Sequence, residues 1–210
     1  DYSFHGVIQY VDDEIIKELE NIVENEGIIS FKAYSTYGFP TTDEGFYRIL
    51  QSMKKTGGVL TVHCENHEIT NYLQKKFVQE GKTEPIYHAL SRPNNAESET
   101  VGRLIQLSEL ADDSNLYIVH TSAKESIDQI KLARQKGLKN LKVETCPQYL
   151  LLTDDCYKKE NDEGLKYMMA PPLRKKEDNE VLWTAVQDGT VDVIATDHCP
   201  FYFSEKLEGK

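Results

Sequence analysis

The chain has 210 residues, 39% of them hydrophobic and 28% charged, which is the ordinary composition of one folded domain. Its formal net charge of −11 argues against a nucleic-acid-binding surface, because such surfaces are rich in lysine and arginine. No apolar run approaches the ~20 residues that a membrane-spanning helix needs. We therefore expect a partner that is neither a nucleic acid nor a membrane.

The four cysteines are spread along the chain without a C-x-x-C pair or a dense framework. This usage is typical of reduced thiols, so we expect a cytoplasmic protein. Cys64 and Cys199 match no spacing of zinc ligands, and we interpret them as small buried hydrophobic residues.

Strand and helix patterns alternate along the chain. Apolar runs predict six strands, at residues 3–10, 28–32, 58–63, 116–120, 141–145 and 191–196. Apolar residues at helical spacing predict the helices between them, which are, in chain order, DDEIIKELENIVENEG, TTDEGFYRILQSMKKTGG, NHEITNYLQKKFVQEG, residues 97–110, AKESIDQIKLARQKG and KEDNEVLWTAVQDG. Most of these helices close on a glycine, the usual residue of a left-handed helix cap.

Continuous apolar strands separated by helices predict an α/β fold with a parallel sheet whose strands are buried on both faces. The architecture is either a (β/α) barrel or an open, doubly wound sheet. No G-x-G-x-x-G or G-K-[ST] phosphate loop follows a predicted strand, which favours the barrel. The stretches 82–95 and 148–174 are long connections, and connections of that length are often functional.

Four predicted strands end in a side chain that can bind a metal ion or move a proton: Lys32, His63, His120 and Asp197. The carboxyl ends of parallel barrel strands converge on one mouth, where active sites lie, so these side chains should face one another. Two imidazoles and a carboxylate suit zinc, iron or manganese. The joint pattern predicts a metal site, although each residue alone has a simpler explanation as a surface lysine, a structural histidine or a capping aspartate.

Seven sequence blocks, in the order SFKAYSTYG, VHCEN, HALSRPNNAESE, LYIVHTS, VETCPQYLLL, APPLR and TDHCPF, resemble the dihydropyrimidinase/hydantoinase family of cyclic amidohydrolases. The resemblance runs from DYSFH at the start of the chain to TDHCPF. It implies a TIM-like (β/α) barrel with a two-metal centre, usually zinc, that hydrolyses the ring amide of dihydropyrimidines or hydantoins. The partner would then be a small cyclic amide, and a homo-oligomer is expected because the family forms dimers or tetramers.

Carried over to this chain, the family's metal ligands fall on the four strand-end residues. Lys32 would react with carbon dioxide to form a carbamate that bridges two metal ions. His63 and His120 would bind one ion, and Asp197 would bind the other and transfer a proton. Glu65, two residues after His63, is a candidate group behind the ligands, although a solvated loop residue is the simpler interpretation.

The same resemblance points to two substrate-binding positions. Tyr37 matches a tyrosine that donates a hydrogen bond to the oxyanion, so the implied catalytic residues are Tyr37 and Asp197. Ala170 precedes PPLR, at a position where the family often has serine. The family binds the ring amide there through main-chain groups, so alanine need not abolish binding.

Two parts of the family pattern are missing from the 210 residues. The His-x-His pair of the first barrel strand would precede Asp1, and a substrate-binding asparagine and the β-sandwich built from both termini are also absent. We therefore expect residues 1–210 to be a partial barrel with strands three to eight of eight. Without two ligands of one metal, this chain alone should hydrolyse little or no substrate, and its open edges should favour self-association.

Two other interpretations stay open. Allantoinase and dihydroorotase share the metal centre, and they are disfavoured because TCPQYL and TDHCPF are more similar to hydantoinases. Non-catalytic relatives of dihydropyrimidinase keep the barrel as scaffold proteins but have lost metal ligands. The presence of all four strand-end residues argues against such a scaffold.

Overall fold

The computed structural model describes residues 2–208, and these contain a six-stranded sheet. Its strands are β1 Gly6–Val7, β2 Ser30–Tyr34, β3 Val59–His63, β4 Leu116–Ile118, β5 Leu141–Thr145 and β6 Val193–Ile194. The strands lie side by side in chain order, and every neighbouring pair is parallel. Each connection therefore moves one strand in the same direction, as in a (β/α) barrel, whereas a doubly wound sheet reverses direction. The predicted α/β fold, part of a barrel, is confirmed.

Helices occupy most of the connections between the strands. They are α1 Asp13–Asn21, α2 Asp43–Thr56, α3 His67–Gln79, α4 Pro85–Leu90, α5 Asn94–Leu110, α6 Lys124–Gln135, α7 Pro147–Leu151, α8 Lys176–Gln187 and α9 Phe203–Glu208. A π-helical turn, Ile22–Glu26, extends α1, and two 3₁₀ helices, Asp154–Lys158 and Glu163–Tyr167, follow α7. Between residues 2 and 208, no helix combines the length and the apolar character that crossing a membrane requires.

Helix α2 illustrates how the sequence forms these elements. The Thr42 hydroxyl caps its first turn by accepting a hydrogen bond from the Gly45 amide at 3.1 Å, and Gly57, at φ +80°, ends it in a left-handed conformation. Its apolar residues recur every three or four positions and are fully buried on one face against the sheet: Phe46, Ile49, Leu50 and Met53. Burying each such side chain contributes about 1.5–3 kcal/mol, so the face fixes the helix on the sheet.

Strand β2 lies two residues further along the chain than predicted. It pairs with β3 from Ser30 to Tyr34, and Ile29 is 55% exposed. Lys32 is therefore in the middle of its strand, and the prediction that it ends the strand was wrong. The physical reason is that backbone pairing continues to the partner of Tyr34, which is His63.

Strands β1, β4 and β6 are each shorter than predicted by at least two residues. Strands β1 and β6 form the edges of the sheet within the described residues, so each pairs on one side only. Strand β4 stops at Ile118 because the chain turns at His120, where φ is +38° and the amide donates to the Glu144 carboxylate at 3.1 Å. His63 does end β3, as predicted, whereas His120 and Asp197 follow their strands by two and three residues.

Candidate metal centre and adjoining cavity

Two imidazole rings meet at the carboxyl edge of the sheet. Nδ1 of His63 lies 2.9 Å from Nε2 of His120, and the two side chains are only 2% and 3% exposed. Burial, together with the neighbouring His63 and Lys32, lowers the pKa of His120 well below its ordinary value. His120 is therefore neutral at pH 7, and neutral imidazole is the form that binds a metal ion.

A buried carboxylate stands behind His63. Oε2 of Glu65 accepts a hydrogen bond from Nε2 of His63 at 2.8 Å and another from Nη1 of Arg92 at 2.6 Å. Burial alone would raise the pKa of Glu65, but the hydrogen bond from His63 and the charge of Arg92 lower it below its ordinary value. Glu65 is 0% exposed, so the interpretation of a solvated loop residue was wrong.

Lys32 lies on β2, next to the strand that carries His63. Burial lowers the pKa of Lys32, while the charges of Asp197 and Glu144 act in the opposite direction. Its Nζ lies 5.5 Å from the centre of the Tyr34 ring. The amine therefore sits in a partly desolvated position, with acidic groups close enough to act on it.

Asp197 occupies the same edge of the sheet but stays exposed to solvent. Its backbone is left-handed, with φ of +49°, a conformation that aspartate tolerates better than most residues. The charge of Asp197 acts on Lys32 and Tyr34. The structure thus brings His63 and His120 into direct contact and places Lys32 and Asp197 within electrostatic reach of each other.

Tyr37 and Ala170 line one cavity of about 670 Å³, a size typical of small-molecule pockets. Burial raises the pKa of Tyr37, and the charge of Glu65 adds to this effect, so the phenol keeps its proton. The Tyr37 hydroxyl lies 3.5 Å from Nδ1 of His63. The walls of the cavity are largely apolar, among them Phe77, Val78, Tyr87, Leu165, Met168 and Met169.

Sequence reasoning missed several charged groups that support this edge. Arg92 binds Glu65, and a second buried ion pair joins Arg174 to Glu97 at 3.1 Å. The Arg174 guanidinium also donates to the Arg92 carbonyl, which links the two pairs. Glu144 holds the His120 amide, and its position inside an apolar strand was a signal that could have identified it.

Comparison with known proteins gives a consistent result over nearly the whole chain. A D-hydantoinase from Geobacillus stearothermophilus is 44% identical, over 99% of this chain and 44% of that protein. A D-phenylhydantoinase from Escherichia coli K12 is 42% identical, also over 99% of this chain and 44% of that protein. The crystal structure of a dihydropyrimidinase from Brevibacillus agri superposes with a TM-score of 0.94 at 43% identity, covering 97% of this chain and 44% of that one. This chain belongs to the dihydropyrimidinase/hydantoinase family.

This family member spans less than half the length of the curated relatives that it matches. No family model matches it. A dihydroorotase from Campylobacter jejuni superposes with a TM-score of 0.65 at 16% identity, over 93% of this chain and 50% of that one. At that identity the likeness shows a shared fold and nothing more.

The residues present can be compared with the donors that a hydantoinase-type centre needs. Bonds from zinc to histidine are about 2.0–2.1 Å long, so two histidines on one tetrahedral ion hold their nitrogens about 3.3 Å apart. The facing nitrogens of His63 and His120 fit one ion after opening slightly, and Nδ1 of His120 is buried without a partner. Within residues 2–208, no three His, Cys, Asp or Glu side chains converge on one point. The two facing imidazole nitrogens therefore fit one ion, and a second ion is short of donors in the described part of the chain.

Proposed function

We propose that this chain carries part of the active site of a metal-dependent hydrolase that opens the ring of hydantoins or dihydropyrimidines. The observation that carries the proposal is the contact between His63 and His120, beside Lys32, at the carboxyl edge of a barrel-type sheet. The two curated relatives are named for hydantoins, and this chain matches them over 99% of its length.

Lys32 supplies a ligand that an ordinary lysine cannot. Its ammonium first loses one proton to solvent. The neutral amine then forms a bond to the carbon of carbon dioxide and loses a second proton, which leaves an anionic carbamate where an ordinary lysine carries a cation. His63, His120 and Asp197 complete the ligands that this chain provides. Divalent metal ions bound there, zinc in this proposal, supply a nucleophile at neutral pH and polarise the amide carbonyl.

The remaining steps belong to Ala170 and Tyr37, which line the cavity, and to Asp197. Main-chain groups at Ala170 bind the ring amide, and the protonated phenol of Tyr37 donates a hydrogen bond to the oxygen on which negative charge develops. Asp197 carries a proton to the leaving ring nitrogen, for which its exposure at the mouth of the sheet suits it. These are the roles that the family resemblance assigns to the three positions, and side-chain variants of Tyr37 and Asp197 remove two of them.

The test restores a complete barrel around this chain. The chain replaces the matching segment of the Geobacillus stearothermophilus D-hydantoinase, and ring opening of hydantoin and dihydrouracil is measured with zinc and bicarbonate present. We expect hydrolysis in the chimera, and a loss of at least about 100-fold in kcat from Asp197→Asn or Lys32→Arg. The 210-residue chain alone should hydrolyse neither compound.

Three results would contradict the proposal. Full activity in both variants would remove these residues from the mechanism, and a folded, zinc-loaded chimera without activity would favour a scaffold role. Preferred hydrolysis of dihydroorotate or allantoin would assign the chain to a different cyclic amidohydrolase. Rapid turnover by the isolated chain would show that the missing ligands are unnecessary.

A further inference from the structure

The carboxylate of Glu65 contacts a histidine that is close to it in the chain. Glu65 follows His63 by only two residues, and its side chain is buried with Oε2 2.8 Å from Nε2 of that imidazole. The Ser35 hydroxyl lies 2.8 Å from the Glu65 amide, which donates to it, and 2.7 Å from the His63 carbonyl. Ser35, in the loop after β2, therefore holds the backbone between His63 and Glu65 by hydrogen bonds.

A second group decides which way the hydrogen bonds of Glu65 run. Arg92 contacts the same oxygen, Oε2, that contacts His63, and the Arg92 side chain is itself buried. A guanidinium can only donate hydrogen bonds, so Oε2 of Glu65 acts as an acceptor. Nε2 of His63, 2.8 Å from that oxygen, must therefore carry a hydrogen.

We infer that Glu65 is a positioning residue that fixes the tautomer of His63, keeping the proton on Nε2 and the lone pair on Nδ1. Nδ1 is the nitrogen that faces His120 at 2.9 Å. That this tautomer helps His63 to bind a metal ion rests on the proposed function. The position of the proton on His63 does not rest on it. In many metal sites, a carboxylate accepts a hydrogen bond from the ring nitrogen of a histidine that does not bind the metal, and this contact orients the ring.

A competing explanation gives the same role to Tyr37. Its hydroxyl also approaches Nδ1 of His63, but at 3.5 Å, which is at the limit of a hydrogen bond. The Tyr37 side chain is 39% exposed, whereas Glu65 and Arg92 are buried. The shorter, charged and buried contact should dominate, so Tyr37 is not expected to decide where the proton sits.

The experiment reads the tautomer directly and uses the 210-residue chain without metal. Histidine is labelled with ¹⁵N in both ring positions, and solid-state NMR, which tolerates self-association, is recorded at about pH 9, above the ordinary histidine pKa of about 6.5. The His63 signals are assigned as those missing from a His63→Gln variant. We expect a protonated Nε2 and an unprotonated Nδ1 in the unmodified chain.

Three variants separate Glu65 from its neighbours. Glu65→Gln should yield a mixture of both tautomers, because an amide both donates and accepts. Tyr37→Phe should leave the His63 signals unchanged. Glu97→Gln, which neutralises the buried carboxylate paired with Arg174 instead of His63, is the matched control and should also leave them unchanged.

A proton on Nδ1, or on both nitrogens, in the unmodified chain would overturn the inference even if Glu65→Gln fails to fold. Unchanged signals in Glu65→Gln would overturn it as well, and so would equal changes in Glu97→Gln. Loss of the hydantoinase activity in the chimera, with the tautomer as expected, would refute the proposed function and leave the role of Glu65 intact.

Discussion

Lys32 must lose a proton before its nitrogen can attack carbon dioxide. Burial lowers the pKa of Lys32, which raises the fraction of neutral amine at every pH below its ordinary value of about 10.5. We therefore expect the chain, incubated with ¹³C-labelled bicarbonate at about pH 8, to give a carbamate carbon signal in ¹³C NMR. The matched control is Lys32→Arg, because a guanidinium stays protonated and forms no carbamate. A signal of equal strength in the control would place the carbamate on another amine.

The cysteines differ in accessibility and in thiolate content. Cys199 is exposed, so its interpretation as a buried residue was wrong, whereas Cys64 and Cys146 are buried as small hydrophobic residues. Burial raises the pKa of Cys64 and raises that of Cys146 to about 12, so about one Cys146 in 10,000 is a thiolate at pH 8. We expect Cys199 to react with a thiol reagent at least about 100-fold faster than Cys64 and Cys146, with half-buried Cys156 between them.

The control for this prediction is Cys199→Ser, which should remove the fast reaction and leave the slow ones. Reaction of the native chain is followed by absorbance, and unfolding in urea should make all the remaining thiols reactive at similar rates. Fast modification of Cys146 in the folded chain would contradict the prediction.

Individual site residues could be predicted from the sequence when they come next to an apolar run. Residues whose role depends on contacts between distant parts of the chain could not. His63 and His120 could be found because each comes directly after an apolar run in the sequence. Arg92 could not, because its partner Glu65 is 27 residues away and only the fold brings the two together. The same holds for Glu144, which supports His120 from 24 residues away.

Among the elements, the two 3₁₀ helices after α7 depend on one glycine. A Cβ on Gly164 would lie 2.5 Å from the Tyr157 carbonyl oxygen and 3.3 Å from Cβ of Pro85, and backbone cannot move aside as a flexible side chain can. We expect Gly164→Ala to lower the free energy of unfolding by about 1–3 kcal/mol, measured by urea denaturation.

The matched control is Gly38→Ala, since a Cβ there meets nothing within 4 Å. That change should leave stability within about 1 kcal/mol, because the lower entropy of the unfolded chain is the main effect. Equal stability of the Gly164→Ala and unmodified chains would show that the two 3₁₀ helices can move apart without cost.

Element order and type could be predicted because helical spacing and apolar runs are local properties. Strand β5 has the predicted bounds, but β2 is displaced, because pairing with β3 decides where a strand ends. Helix α4 and the two 3₁₀ helices lie in the long connections and were not predicted, because they are too short to show a periodic pattern of apolar residues. Helix α4 is signalled only by Pro85 at its first position.

For the whole molecule, the two edges of the sheet carry exposed apolar side chains. Those near β1 are Tyr2, Phe4, Val7 and Tyr10, and those near β6 are Val193, Ile194, Phe201 and Tyr202. Unpaired strand edges with apolar flanks favour association, while the net charge of −11 opposes it. We expect light scattering to show oligomers whose mass increases when salt is raised from about 0.05 M to about 0.5 M.

Lysine at both edges should reverse this behaviour. A chain with Val7→Lys and Ile194→Lys is expected to be monomeric, because charge on an edge strand disfavours pairing with another copy. Leu132→Lys adds a charge at an exposed position of α6, away from the edges, and should leave association unchanged. A monodisperse monomer in the unmodified chain at high salt would contradict the prediction.

Within the two linked ion pairs the charges cancel, since Glu65 and Glu97 balance Arg92 and Arg174. Conversion of Lys32 to a carbamate would add an anion that neither arginine is free to balance, and a bound cation would balance it. Carbon dioxide and the cation should therefore bind cooperatively, each raising the affinity for the other by the same factor. Bicarbonate in the buffer would then set how tightly the chain holds a metal ion, and the metal concentration would set how much of Lys32 is carboxylated.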